Sequence, residues 1–259
     1  MSNASDRIPP MPDTHRFLVD GRIPVLKTHF EPRPGPAVLV LHGLGADADT
    51  QRGELEILAR GGLSAVGVDA PHHGARRDAW LDEQARLGPP ESHARLLHAV
   101  LESAHDVSRV IDHVIHEGHG PIGLAGISFG AYTALAVAAG DARVRATVSI
   151  LGSPDWSPRE GPITEELWQL MGQAPVHRPW DCAQRPLLML NAGRDGIVPA
   201  SWARDFAHRL WHEQPGAHVE YVEYPESDHM MRPQDWGDVW DRSLGFLREQ
   251  LSRWWTRVR

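Results

Sequence analysis

The sequence is short of several things that other protein classes need. Among 259 residues it has one cysteine, Cys182, and one lysine, Lys27. A lone cysteine cannot close an internal disulfide, so a disulfide-framework fold is excluded and a reducing compartment fits. An excess of positive charge is also missing. The formal net charge is −8, which disfavours a general nucleic-acid binder, because such proteins carry a basic footprint. The basic end Arg248–Arg259 reads as the last turns of a surface helix. Long apolar runs are absent too. The longest unbroken aliphatic stretch, Ala37–Leu41, is far below the roughly 18 residues of a membrane span. Residues Met1–Asp13 hold prolines and polar residues but no apolar core, so no secretory signal is expected and the expected address is the cytoplasm.

The chain also lacks internal repeats and low-complexity tracts. Its 41% hydrophobic and 23% charged residues are globular usage, which excludes a disordered or collagen-like chain. A chain of this length buries roughly three quarters of its unfolded surface and needs no staple. One domain over residues 1–259 is expected.

Short apolar runs alternate with longer helical patterns. Phe17–Val19 and Ile23–Leu26 flank Asp20-Gly21, a two-residue hairpin signal. Pro32-Arg33-Pro34-Gly35-Pro36 then breaks the chain. Ala37–Leu41 is a continuous apolar run that reads as a strand buried on both faces, and Ser64–Val68, Ile122–Ile127, Val144–Leu151, Pro186–Asn191 and Val219–Tyr224 read as further strands. Between them, Glu54–Arg60, Glu91–Glu117, Phe129–Ala139, Ser201–His212 and Gln234–Trp255 carry helical spacing, while Arg76–Gly88 is ambiguous. This alternation predicts an α/β fold: a mainly parallel sheet with helices on both faces and an antiparallel hairpin at one edge. The rhythm breaks at residues 152–185, a segment rich in Pro and Trp with one helix near Thr164–Met171. It is expected as a small cap insertion above the carboxyl edge of the sheet, where open α/β sheets bind ligands.

The strongest chemical signal is Gly126-Ile127-Ser128-Phe129-Gly130. Its weight comes from context: it ends a strand and opens a helix, the strand–turn–helix setting that G-x-S-x-G requires. A serine at such an apex sits in a strained backbone, and side chains at Gly126 or Gly130 would crowd it. A serine hydroxyl is a weak nucleophile and needs a positioned base. His229 follows the last strand in Tyr224–His229, and Asp195 follows the strand before it in Asn191–Pro199. Asp155, after the strand ending at Leu151, is a rival acid, and Asp228 is a further candidate.

Ser128, Asp195 and His229, in that chain order and each after a successive strand, resemble the α/β-hydrolase superfamily. Gly193–Pro199 and Ser227–His229 are similar to small cytosolic esterases of the dienelactone hydrolase and prolyl-oligopeptidase-like branch. The resemblance covers the chain from about Ala37 to the final helix. It implies the α/β-hydrolase fold and an oxyanion hole made by the backbone N–H groups of Leu44 and Phe129. Leu44 stands where many lipases have a glycine in this loop. His42 and Gly43 belong to the same loop, with His42 read as a brace.

The expected activity is a serine hydrolase that cleaves small carboxylic esters, with no cofactor, no metal and no membrane or nucleic-acid partner. Peptidase, amidase or thioesterase activity with the same triad are alternatives, as is a non-catalytic binding protein. Trp156, Trp168 and Trp180 in the insertion, with His72, are candidate pocket residues. Adjacent His72 and His73 point apart on an extended chain, which disfavours a zinc site. His113, His116 and His119 recur every three residues and read as one solvated helix face.

Overall fold

The computed structural model describes residues 11–30 and 34–258, the last two without their side chains. The sequence expectations for the first ten residues and for Pro32 and Arg33 lie outside the described residues. The elements run β1 (Asp13–Val19), β2 (Ile23–His29), β3 (Ala37–Leu41), α1 (Arg52–Arg60), β4 (Ser64–Val68), α2 (Trp80–Gln84), α3 (Glu91–His116), β5 (Ile122–Ile127) and α4 (Phe129–Gly140). They continue with β6 (Val144–Ile150), α5 (Glu165–Met171), α6 (Pro179–Ala183), β7 (Leu187–Ala192), α7 (Ala200–Glu213), β8 (Val219–Tyr224) and α8 (Pro233–Val258).

One eight-stranded sheet has the order β1-β2-β4-β3-β5-β6-β7-β8. From β4 to β8 all neighbours are parallel, while β1 and β2 form the antiparallel edge, in register Val19↔Ile23 to Asp13↔His29. The two-residue period of the strands sorts their side chains onto two covered faces. Val38 and Val40 pack with α1 and α8 through Leu55, Leu58, Leu247 and Leu251. Leu39 and Leu41 pack on the other face with Val107, Val110 and Ile111 of α3 and with Val137 of α4. Helix α7 extends that second layer through Phe206 and Leu210. No helix among the described residues is long and apolar enough to cross a membrane.

This winding creates a crevice. The chain leaves β3 toward α1 on one face and leaves β5 into α4 on the other. The loops after these adjacent strands diverge and leave space between them at the carboxyl edge. Since β3 to β8 are parallel, the loops after β5, β7 and β8, which carry Ser128, Asp195 and His229, all emerge at that edge.

A short 3₁₀ turn at Gly74–Arg76 leads into the ambiguous stretch, which holds the single turn of α2. The inserted segment packs on α3 and α4, with Trp156, Leu167, Leu170 and Ala174 in one cluster with Leu97, Phe129 and Tyr132. Thr164 caps α5 by accepting the Leu167 N–H at 3.2 Å. The reading of His113, His116 and His119 as one solvated face is corrected. Helix α3 ends at His116, and His119 is buried beyond it, with Nε2 3.0 Å from Lys27 Nζ. Lys27 also donates to Glu117 at 2.7 Å, so the only lysine is a buried strut between β2 and the end of α3.

Candidate active site

Ser128 occupies the position before α4 with φ 51° and ψ −113°, a positive φ that a non-glycine residue adopts only under constraint. Two close approaches impose it. A Cβ built on Gly126 would lie 2.2 Å from the Gly130 carbonyl oxygen. One built on Gly130 would lie 2.1 Å from the Leu41 carbonyl oxygen. The turn is therefore pressed into the end of β3, and only hydrogen fits at both places. The Ser128 N–H donates to the Ile150 carbonyl at 2.8 Å, which fixes the apex against β6.

Ser128 Oγ lies 2.9 Å from His229 Nε2, and His229 Nδ1 lies 2.7 Å from Asp195 Oδ2. The acceptor at Nδ1 places the ring proton there and leaves Nε2 to receive the serine proton. The Asp195 carboxylate is sealed from solvent. Its other oxygen accepts the N–H groups of Ile197 and Val198, both at 2.8 Å. Asp195 is thus both the residue that shapes its turn and the carboxylate that holds the imidazole. The rival Asp155 is turned elsewhere and accepts the Ser157 N–H at 2.9 Å. Asp228 accepts from Met230 N–H at 2.9 Å and likewise does not meet the ring.

The loops bearing Asp195 and His229 are clipped together. Gly193 N–H donates to Tyr224 O at 2.8 Å, and Arg194 N–H donates to Ser227 O at 2.9 Å. Ser227 is buried and donates to Asp235 at 2.6 Å at the start of α8. These bonds set the registry between acid and base through backbone rather than through long side chains.

The loop after β3 passes directly over the serine: a Cβ built on Gly43 would lie 3.9 Å from Ser128 Cβ. His42 braces this loop. It is buried, its Nδ1 is 2.9 Å from Gly43 O, and its Nε2 accepts the Ala70 N–H at 3.0 Å, tying the loop after β3 to the loop after β4. Its ring packs 5.0 Å from His73, which stacks at 5.4 Å on Phe129. Burial holds both imidazoles below the ordinary histidine pKa, so they stand neutral as packing elements. Beneath them Asp69 is fully buried and accepts from Ala48 N–H, Ala75 N–H and Arg16.

The four candidate pocket residues are not brought to Ser128. Trp156 is fully buried under α3 and α4, whereas Trp168 and Trp180 face solvent on α5 and α6. His72 stacks on Trp80 at 5.2 Å with its Nδ1 2.8 Å from Asp78. The insertion reaches the serine through Ser157–Glu160 instead, which help to wall a cleft with Leu96 and Tyr132. Tyr132, one helical turn past Ser128, was not foreseen. It is buried, and that burial pushes its hydroxyl pKa up. Gln51, in the wall of a second cleft, was also missed. It is buried with neither amide atom hydrogen-bonded. Neither residue has a motif, since only tertiary packing brings it to the serine.

A cluster that the sequence reading did not weigh lies at the opposite edge of the sheet. Asp13, His15 and His29 bring ligand-type atoms within 4.8 Å of one another across the β1–β2 hairpin. It is remote in the fold from the serine and takes no part in the chemistry below.

Residues 25–237 match the family model described as dienelactone hydrolase family. The chain is similar to YitV of Bacillus subtilis (strain 168), a candidate esterase by its description, with 27% identity over 79% of this chain and 87% of that protein. Among solved structures it is similar to TT1662 from Thermus thermophilus, with a TM-score of 0.76, 24% identity and coverage of 93% of this chain and 98% of that one. It also resembles the Pyrococcus horikoshii acylaminoacyl peptidase, with a TM-score of 0.69, 17% identity and coverage of 93% of this chain but only 41% of that one. These structural likenesses establish the α/β-hydrolase fold.

Proposed function

The chain belongs to the dienelactone hydrolase family, and on that premise we propose that it is a serine hydrolase that cleaves small carboxylic esters through an acyl-enzyme intermediate. The observation that carries the reading is the unbroken relay from Ser128 Oγ through His229 to the sealed carboxylate of Asp195, with the serine on a strained elbow. A binding protein gains nothing from holding all three in line.

In the proposed reaction Ser128 Oγ attacks the ester carbonyl carbon while His229 Nε2 takes the hydroxyl proton. Asp195 keeps the imidazole in the right tautomer and stabilises its positive charge. The carbonyl oxygen, now an oxyanion, accepts from the N–H groups of Phe129 and Leu44. The first N–H groups of α4 have no intrahelical acceptor, and the positive end of the helix dipole favours the charge. Each such donor contributes about 3–4 kcal/mol to the transition state in comparable sites. The imidazolium then protonates the leaving oxygen as the carbon–oxygen bond breaks. Water, deprotonated by His229, hydrolyses the acyl-serine in the same manner. All proton transfers use this chain's own residues and water.

We assign the protein to the cytoplasm within the same proposal. Cys182 is buried, and burial pushes its thiol up to about 12, so it is an inert core residue rather than a redox group. The test of the function is hydrolysis of p-nitrophenyl acetate by wild type and Ser128→Ala. A loss of about 10⁵-fold or more in turnover is expected. Equal turnover in the two proteins would overturn the reading.

A further inference from the structure

Two clefts open from Ser128, one on each side, and Leu44, Ser128 and Ile197 belong to both. The larger has a volume of about 710 Å³ and contains His229, with Ala46, Leu151, Met231 and Trp236 in its wall. The smaller has a volume of about 280 Å³ and is bounded by Leu96, Phe129, Tyr132, Val198 and Trp202. His229 belongs to the larger cleft but not to the smaller.

Proton transfer assigns a role to each side. A tetrahedral carbon on Ser128 Oγ carries three further groups: the oxyanion, the acyl chain and the leaving oxygen. The oxyanion turns to the backbone amides. The leaving oxygen must take the proton from His229 Nε2, which already sits 2.9 Å from Oγ, so it lies on the His229 side. The alcohol part therefore extends into the larger cleft. The remaining direction, along Phe129 and Tyr132, belongs to the acyl chain.

The two volumes then define a substrate. The larger cleft falls within the roughly 300–1,000 Å³ of sites that enclose drug-sized ligands, and the smaller lies just under that range. Apolar side chains dominate the larger wall, with Thr50, Gln51 and Glu54 its polar members apart from the reacting pair. Ser157–Glu160 of the insertion line one side of the smaller cleft. Resting on the serine-hydrolase reading above, we propose that the substrates are esters of a short acyl group with a bulky, mainly apolar alcohol. In the step concerned, His229 Nε2–H protonates the alcohol oxygen as the acyl carbon–oxygen bond breaks. The whole alcohol then leaves through the larger cleft and the small acyl group stays on Ser128.

The test is a two-way ester series. Phenyl, 2-naphthyl and 4-biphenylyl acetates vary alcohol size at similar leaving-group acidity, and phenyl acetate, butyrate and octanoate vary the acyl chain. We expect kcat/KM to rise about tenfold or more across the alcohols and to fall by a similar factor from butyrate to octanoate. Ala46→Trp narrows the larger cleft and is expected to lower kcat/KM for 4-biphenylyl acetate about tenfold more than for phenyl acetate. Ser92 also lines the smaller cleft, so Ser92→Phe fills it and is expected to penalise the butyrate more than the acetate. A preference for octanoate regardless of alcohol would overturn the inference, as would equal loss on both acetates in Ala46→Trp. So would a protein that a fluorophosphonate labels but that hydrolyses none of these esters. Any of these results with Ser128 still labelled leaves the serine mechanism standing. Hydrolysis that survives Ser128→Ala sinks the mechanism and the inference with it.

Discussion

Replacing Gly130 by alanine puts a methyl group 2.1 Å from the Leu41 carbonyl oxygen and 2.7 Å from that of His42. A carbon and a carbonyl oxygen in contact need roughly 3.3 Å, so the start of α4 must retreat from the end of β3 by about 1 Å. That movement separates the two halves of the proposed oxyanion hole, because Phe129 N–H rides on α4 and Leu44 N–H rides on the loop after β3. A misplacement of about 1 Å costs on the order of 10²-fold in rate. Overpacking of this kind costs about 2 kcal/mol of stability, or about 4–8 °C in Tm for a chain of this size. Gly140→Ala, at the other end of the same helix, is the control. Its Cβ meets nothing within 4 Å and should stabilise slightly, by about 0.5 kcal/mol. Ester turnover and thermal unfolding of the two variants side by side check the argument. A Gly130→Ala protein with wild-type turnover and an unchanged Tm would refute it.

Other consequences follow from the same geometry. Asp195→Asn should lower turnover by about 10⁴-fold by upsetting the His229 tautomer, while Asp155→Asn should have little effect; steady-state kinetics of both variants decide which carboxylate works with the histidine. Asp69→Asn leaves Arg16, the buried Ala48 N–H and the Ala75 N–H poorly paired, so a cost of about 3 kcal/mol and a Tm lower by about 6–12 °C are expected by calorimetry. His29, His42, His73 and His119 are all held below the ordinary 6.5, with burial the largest cause. The unfolded chain then binds more protons than the folded one below about pH 6.5. Their contribution to stability is complete above that value and is lost as pH falls through the folded-state values. Denaturation midpoints measured from pH 8 downward should decline below about 6.5, and less steeply in His73→Phe. A flat profile would show that these rings are not buried neutral.

The fold was readable because its signals are local and agree with one another. Ala37–Leu41, Ser64–Val68 and Ile122–Ile127 form the expected strands, since short, largely apolar runs bounded by glycine, proline or aspartate leave little choice in an α/β chain, and Val219–Tyr224 forms one with its two glutamates at the half-covered edge. Ser128, Asp195 and His229 were legible for a related reason. Each stands just past a strand end, and a parallel sheet brings all such ends to one edge. The pocket was not legible. A tryptophan in an insertion can fill the core or wall a cleft with the same composition. Trp156 went into the core and Trp168 and Trp180 to the surface, because α5 and α6 lie on α3 and α4 rather than over the serine. The choice between Asp195 and Asp155 also lay beyond pattern. It depends on the backbone clip between Gly193 and Tyr224, a contact between loops far apart in sequence.

The central claim is that Ser128 is the nucleophile, and covalent capture tests it most directly. Wild-type protein is treated with a fluorophosphonate, weighed intact and mapped by peptide mass. One adduct per chain on the peptide that holds Ser128, absent in Ser128→Ala, is the predicted result. An adduct on another residue, or none on the folded wild-type protein, would contradict the account.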